Sequence, residues 1–248
     1  IRIGNDPASE VYINMKYRAC QRVGIIFESF HLDDDVSENK VEELIQLLND
    51  DDSVTGILLQ LPLPNNLNAI KLVNLIDSEK DVDGLTITNQ GKLWQEIDGL
   101  VPCTPLGVME LLNYYNINIS GKKVVIVGRS LLVGKPLAAL FTKADATITL
   151  CHSKTPNLKS FTKKADIIIL AAGHPNLLTK DMIRSNAIIV DVSINRIDNH
   201  LVGDASIDIY DMPRVRISPV PGGIGPMTVA MLLSNVYKAY TLLNKPVK

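Results

Sequence analysis

Tyr12 and Lys16 lie four residues apart in a segment whose apolar residues Val11, Met15, Ala19 and Val23 recur at helical spacing, so both side chains project from one helix face. A lysine amine beside a phenol can donate to a developing negative charge, or move protons once burial lowers its pKa. A surface Tyr–Lys pair fits the same spacing. Gln60 is the polar exception near the end of the apolar run VTGILLQL, residues 54–61. That run reads as a buried strand, and its carboxyl end is where open α/β sheets bind ligands. Asp83, in the turn DVDG, is expected to face the same side. Either residue equally suits a cap or a turn.

Residues 122–141, KKVVIVGRSLLVGKPLAALF, carry a different chemistry. A β-branched apolar run reads as a buried parallel strand, stops at Gly128, and passes a second glycine, Gly134, into a helix. Free amides and the positive end of a helix dipole at such a turn hold a dinucleotide pyrophosphate. The spacing GRSLLVG differs from the common GxGxxG, and an ordinary strand–turn–helix corner also fits it. The next strand, residues 147–150, runs into Cys151-His152-Ser153-Lys154-Thr155. No carboxylate waits there for a ribose 2′-hydroxyl, whereas Ser153, Lys154 and the nearby Arg129 can bond a 2′-phosphate. This favours NADP over NAD. Residues 219–228, PVPGGIGPMT, are too rich in glycine and proline for helix or strand. They read as a rigid loop with exposed amides, suited to a planar ligand or a phosphate, or as a plain hinge.

These residues need elements to hold them. The 248 residues, 46% hydrophobic and 21% charged with net charge −2, suffice for one large or two modest domains. The charge balance gives no reason to expect nucleic acid or a membrane as partner, and no apolar run reaches about 18 residues. Cys20, Cys103 and Cys151 are far apart, as are His31, His152, His174 and His200. Neither a disulfide framework nor a metal site is indicated, and a reducing cytoplasm is expected. The chain starts IRIGNDPAS without a methionine, so some N-terminal structure is expected to be missing.

The first hundred residues alternate strand and helix, which predicts a mostly parallel sheet. Strands are expected at residues 1–3, 25–32 and 54–61, and helices at 9–23, after Ser37, and at 67–76. Residues 80–99 read as an irregular connection. Thr104 is the expected N-cap of the next helix, with Pro105 in its first turn. A Rossmann-type sheet follows, with strands near 124–127, 147–150, 167–171, 188–192 and 215–218. An apolar helix from Met227 to about Leu243 is expected to pack back on the first domain. The domains expected are 1–105, completed by 227–248, and 106–226.

The motifs DPASEVYINMK, GILLQLPLP, KDVDGL, PCTPLGVMELL, GRSLLVGKP, CHSKT and PVPGGIGPMTVAMLL occur in this order. Together they closely resemble the bifunctional methylenetetrahydrofolate dehydrogenase/methenyltetrahydrofolate cyclohydrolase family across essentially the whole chain. The resemblance implies an N-terminal catalytic domain, an NADP-binding Rossmann domain, a homodimer and tetrahydrofolate derivatives as substrates. It implies oxidation of 5,10-methylenetetrahydrofolate by NADP, then hydrolysis of the methenyl product to 10-formyltetrahydrofolate. By position, Lys16 matches the catalytic lysine and Tyr12 the tyrosine that helps orient the folate. Gln60 matches the glutamine that positions the lysine, and Asp83 the aspartate that anchors the pterin. Pro62, Pro221, Gly222 and Gly223 fall on the folate side, and Gly128, Arg129, Ser130, Ser153 and Ile194 on the NADP side. Ser9 reads as a helix cap rather than a reactant.

Two departures stand out. Ser193 replaces the glycine of the family's DVGIN, which could alter cofactor fit, and the family's N-terminal helix is not in this numbering. A shikimate-type dehydrogenase also places a catalytic lysine before a Rossmann domain, but residues 219–228 and the GRSLLVGKP spacing argue against it. A silent nucleotide-binding regulator would be free to lose Tyr12, Lys16, Gln60 and Asp83.

Overall fold

The computed structural model describes residues 1–198 and 200–244. The chain divides into two compact units, Ile1–Cys103 with the segment from Val229 on, and Thr104–Thr228.

In the first unit the short strands β1 (Arg2–Ile3) and β2 (His31–Leu32) pair in parallel, with helix α1 (Pro7–Val23) between them in sequence. The carboxylate of Asp6 caps α1 by accepting from Ser9 N and Ser9 Oγ at 2.8 and 2.7 Å. Ser9, expected to be the cap, is thus a donor to it. Helix α2 (Glu38–Asp50) buries Val41, Ile45 and Leu48 against Ile3, Ile57, Leu59 and Leu72. Its last carbonyls would be unsatisfied in the core. The buried Lys80 amine donates to the carbonyls of Leu48, Asn49 and Asp51.

The sheet expected here is much reduced. Only the last two residues of the run 25–32 pair, and in the run 54–61 only Ile57 forms a bridge, to Asp81. That second run still lies beside the residue that leads into β1, because Ile1 N bonds Leu58 O at 2.7 Å and Gln60 N bonds Ile1 O at 2.9 Å. Helix α3 (Ala69–Val73) is shorter than the predicted 67–76. Residues 80–99, expected to be irregular, contain helix α4 (Ile87–Trp94), capped by Thr86 and burying Asn89 and Leu93.

The second unit opens with α5 (Cys103–Tyr114). Thr104 therefore lies inside the first turn rather than at the cap, and its hydroxyl bonds that of Thr228 at 3.0 Å. Strands β3 (Lys123–Val127), β4 (Thr147–Cys151), β5 (Ile167–Leu170), β6 (Ile188–Asp191) and the late Arg216–Ile217 form one parallel sheet. Its order places β3 between β4 and β5, then β6 and the late strand. Strand residues alternate between two cores. Val124, Ile126, Ile167 and Ile169 pack with Leu137 and Phe141 of helix α6 (Gly134–Lys143) and with Val108 and Leu112 of α5. Val125, Val127, Ile168 and Leu170 pack with Leu178, Ile183 and Ile209. A small antiparallel hairpin, β7 (Asn195–Ile197) and β8 (His200–Val202), was not foreseen. The late strand is accordingly β9.

The C-terminal helix, Ile224–Leu243, starts inside the predicted loop 219–228. Proline in a first helical turn forfeits no intrahelical bond, so Gly225 and Pro226 do not prevent it. Further along this helix, Leu232 and Ala239 pack with Val82, Leu100 and Cys103 of the first unit, as expected of a helix that returns.

Asp191, 1% exposed at the end of β6, has its carboxyl pushed up to about 6, chiefly by burial and further by the Asp204 carboxylate. Bonds from Ala205 N and Ser193 N oppose this. A carboxyl raised above its unfolded value of 3.8 takes up a proton on folding. Its contribution to stability is therefore full below the unfolded value and lost as pH rises through about 6. Urea midpoints measured from pH 5 to pH 7 should fall, and Asp191→Asn should flatten that slope.

Candidate active site

Lys16, on α1, is only 8% exposed. Burial lowers its pKa, with the Asp83 carboxylate opposing. Its Nζ donates to Gln60 Oε1 at 2.8 Å, while Gln60 Nε2 donates to Leu61 O at 2.9 Å. With its nitrogen committed to the main chain, the Gln60 amide can present only its oxygen to the lysine. A neutral acceptor holds the amine in place without the full charge that a carboxylate would use to keep it protonated. Tyr12, one turn earlier, is half-buried, and burial raises its phenol pKa.

Asp83 owes its position to the carboxylate two residues before it. Asp81, 1% exposed, turns inward and accepts from Leu85 N, Thr86 N and Asn89 Nδ2 at 3.1, 2.8 and 2.9 Å. That fastening closes the turn and leaves Asp83 half-buried, acting on both Lys16 and Cys103. Cys103 is itself buried, and burial with the Asp83 charge drives its thiol well above the usual range. Asn235, from the C-terminal helix, donates to Val82 O and Val101 O, both at 2.8 Å. Sequence reasoning passed over Asn235 and Cys103, because an amide in an apolar helix and an isolated thiol carry no spacing signal. Pro62 is exposed beside Gln60, after a cis Leu61–Pro62 bond.

Gln60→Glu tests the neutral acceptor directly. The carboxylate should stabilise the ammonium form, move the pH profile of any reaction that uses the free amine to higher pH, and lower its rate at neutrality.

In the second unit the turn after β3 is closely packed. Gly128 has φ +126°, and a Cβ there would lie 2.1 Å from Ala171 O. A Cβ on Gly134 would lie 2.0 Å from Gly128 O. Gly128 N donates to Cys151 O at 2.9 Å, which sets the turns after β3 and β4 side by side. Arg129 and Ser130 are exposed in the first, and Ser130 Oγ accepts from Val133 N. In the second, His152 N bonds Thr155 Oγ1 at 2.9 Å and Thr155 N bonds His152 O at 2.8 Å. That closed turn presents Ser153 and Lys154 outward. A cradle that admits no side chain, with a cation and hydroxyls on its rim and no carboxylate at the end of β4, fits a nucleotide with a 2′-phosphate. Ile194 is 42% exposed after β6, with its Cδ1 3.8 Å from where a Cβ on Gly225 would stand. Pro221 and Gly222 are exposed and Gly223 partly so, ahead of the C-terminal helix. Ser193 is 8% exposed, and its hydroxyl points inward to Asp204 rather than outward beside Ile194. Among the described residues no group of three or more His, Cys, Asp or Glu could hold a metal ion, and no helix is long and apolar enough to cross a membrane.

Residues 1–83 match the model of the tetrahydrofolate dehydrogenase/cyclohydrolase catalytic domain, and residues 102–244 that of its NAD(P)-binding domain. The chain belongs to the tetrahydrofolate dehydrogenase/cyclohydrolase family. It is 49% identical over 240 residues to the bifunctional protein FolD of Campylobacter hominis, covering 96% of this chain and 84% of that one. The crystal structure of the FolD methylenetetrahydrofolate dehydrogenase/cyclohydrolase of Campylobacter jejuni superposes with a TM-score of 0.94 at 45% identity, covering 97% and 86%. The Trypanosoma brucei enzyme, complexed with NADP cofactor and inhibitor, gives 0.92 at 34% identity, covering 97% and 84%. Family membership sets aside the shikimate-type and silent-regulator readings.

Proposed function

We propose that this chain oxidises 5,10-methylenetetrahydrofolate with NADP and hydrolyses the methenyl product to 10-formyltetrahydrofolate, with the chemistry centred on Lys16. The observation that carries it is a buried lysine fastened to a neutral amide inside a chain of this family. The methenyl carbon is a cationic, amidinium-like centre. Water that adds to it must lose a proton, and a lysine accepts one only when its pKa has fallen. Burial supplies that fall, and the positive carbon beside the amine strengthens it. Gln60 aims the amine, Tyr12 orients the folate, Asp83 anchors the pterin, and Pro62 and residues 221–223 line the folate's surroundings.

Gly128, Arg129, Ser130, Ser153 and Ile194 are the residues that would hold NADP, which supplies the hydride acceptor when bound. Domains 1–105 with 227–248 and 106–226 carry the two tasks. The same reading makes the enzyme a cytoplasmic homodimer, which sedimentation of the purified chain checks.

The test is to mix the protein with methylenetetrahydrofolate and either NADP or NAD, and follow methenyl and formyl products separately. Turnover preferring NADP is expected, and no turnover with either cofactor overturns the reading. Arg129→Ala should raise KM for NADP about tenfold, the worth of one charge-assisted bond, and leave KM for NAD nearly unchanged.

A further inference from the structure

Asp204 follows the hairpin β7–β8, belongs to none of the site motifs, and is fully buried. Its carboxylate accepts five hydrogen bonds. Oδ2 takes Ala172 N at 2.8 Å, Gly173 N at 3.1 Å and Ser193 Oγ at 2.7 Å. Oδ1 takes His174 N at 2.7 Å and Asn195 Nδ2 at 3.0 Å. The donors come from two loops, one leaving the carboxyl end of β5 and the other that of β6. Ser193 Oγ adds a direct link between them by accepting from Gly173 N at 3.2 Å.

The place of these loops gives the hub its meaning. The chain passes from β3 to β4 on one side and then returns across β3 to place β5 on the other, so the winding reverses direction at β3. Ligands of doubly wound sheets bind outside the carboxyl ends at such a switch point. The Gly128 turn already touches the β5 end, since Ala171 O stands where a Gly128 Cβ would go. Ile194 is exposed between Ser193 and Asn195, both of which bond Asp204. A buried carboxylate thus sets the backbone of the crevice walls without being able to touch what binds there.

We infer that Asp204, with the Ser193 hydroxyl, is a positioning residue for the nicotinamide cofactor, locking the loops after β5 and β6 into one wall of its site. The inference rests on the proposed NADP-dependent reading. Every donor at Asp204 requires an acceptor, and each carboxylate oxygen serves both loops. An asparagine in its place must therefore turn an NH2 group against donors from both, whichever way it flips. Ser193 explains why this chain accommodates a side chain there: its hydroxyl completes the hub rather than entering the site.

The test compares wild type, Asp204→Asn and Ser193→Ala in three measurements. These are NADP affinity by calorimetry without folate, dehydrogenase kcat and KM for NADP, and cyclohydrolase rate on methenyltetrahydrofolate without cofactor. For Asp204→Asn, NADP affinity should fall about tenfold or more, as expected from stranding buried donors. The cyclohydrolase rate, which depends on the other unit's Lys16, should stay within about twofold, a ratio set by a few tenths of a kcal/mol. Ser193→Ala removes only the cross-link and should give a smaller loss of affinity in the same direction, with the fold intact if Asp204→Asn does not fold. Unchanged NADP affinity in Ser193→Ala and in any folded Asp204→Asn overturns the inference, as does an equal fall of cyclohydrolase and affinity. Wild type that binds NADP yet turns over no folate would instead overturn the proposed reaction, while the affinity comparison still decides the role of Asp204.

Discussion

Lys16→Met is expected to lower the cyclohydrolase rate about 10²- to 10⁴-fold, the usual range for losing a positioned proton-transfer group. Methionine fills the space of the lysine stem on the buried side of α1 but offers no amine. The protein should remain folded, because what is stranded is one acceptor, Gln60 Oε1, costing about 1–3 kcal/mol. NADP affinity, measured on the same preparation, should not change, since its residues lie in the other unit. Normal hydrolysis of methenyltetrahydrofolate by Lys16→Met would remove the lysine from the mechanism and leave only an orienting role. Gln60→Glu and Lys16→Met then separate two ideas. The first asks whether the amine must be free, the second whether there must be one.

The second large effect is expected from Gly128→Ala. A methyl group there would sit 2.1 Å from Ala171 O and 2.7 Å from its carbon, at a φ of +126° that L-residues rarely adopt. Neither neighbour is a flexible side chain, so the ends of β3 and β5 must part. Overpacking and backbone strain of this kind cost about 3 kcal/mol together, enough for about a hundredfold loss of NADP affinity. Gly91→Ala is the matching control. Gly91 lies inside α4 with nothing within 4 Å of its Cβ position, so alanine should leave both activities alone and raise stability slightly. Calorimetric titration with NADP and a cyclohydrolase assay on both variants check the pair. Equal NADP affinity in Gly128→Ala and wild type would mean that the turn is no cradle.

The second unit was legible in sequence because its central strands β3, β5 and β6 are almost entirely buried. Runs such as IIIL at β5 and KVVIV at β3 have few alternatives to the middle of a parallel sheet, and their glycine exits sit where the turns are. The first unit was less legible. Residues 54–61 look like the same kind of strand, yet only Ile57 bridges, since Gly56 lies against Val82 and two prolines end the run. Helix α4 was hidden by Asp, Gly, Asn and Thr, residues whose work here is capping and burial through Thr86 and Asn89. Lys16 and Gln60, 44 residues apart, bond to each other, whereas spacing alone favoured a surface Tyr–Lys pair. Asp204 was invisible, because nothing local distinguishes an aspartate with five buried donors from one in a solvated turn.

The route of the chain has a consequence for how the molecule is made. Thr104–Thr228 is continuous and can close its sheet as soon as it has left the ribosome. The unit that carries Lys16 cannot, because Leu232, Asn235 and Ala239 complete the packing around Val82 and Cys103. Synthesis therefore yields the nucleotide-binding part first. The catalytic part is expected to stay unfinished until the last helix arrives, since the segment around Val82 and Cys103 lacks its packing partners on that helix before then.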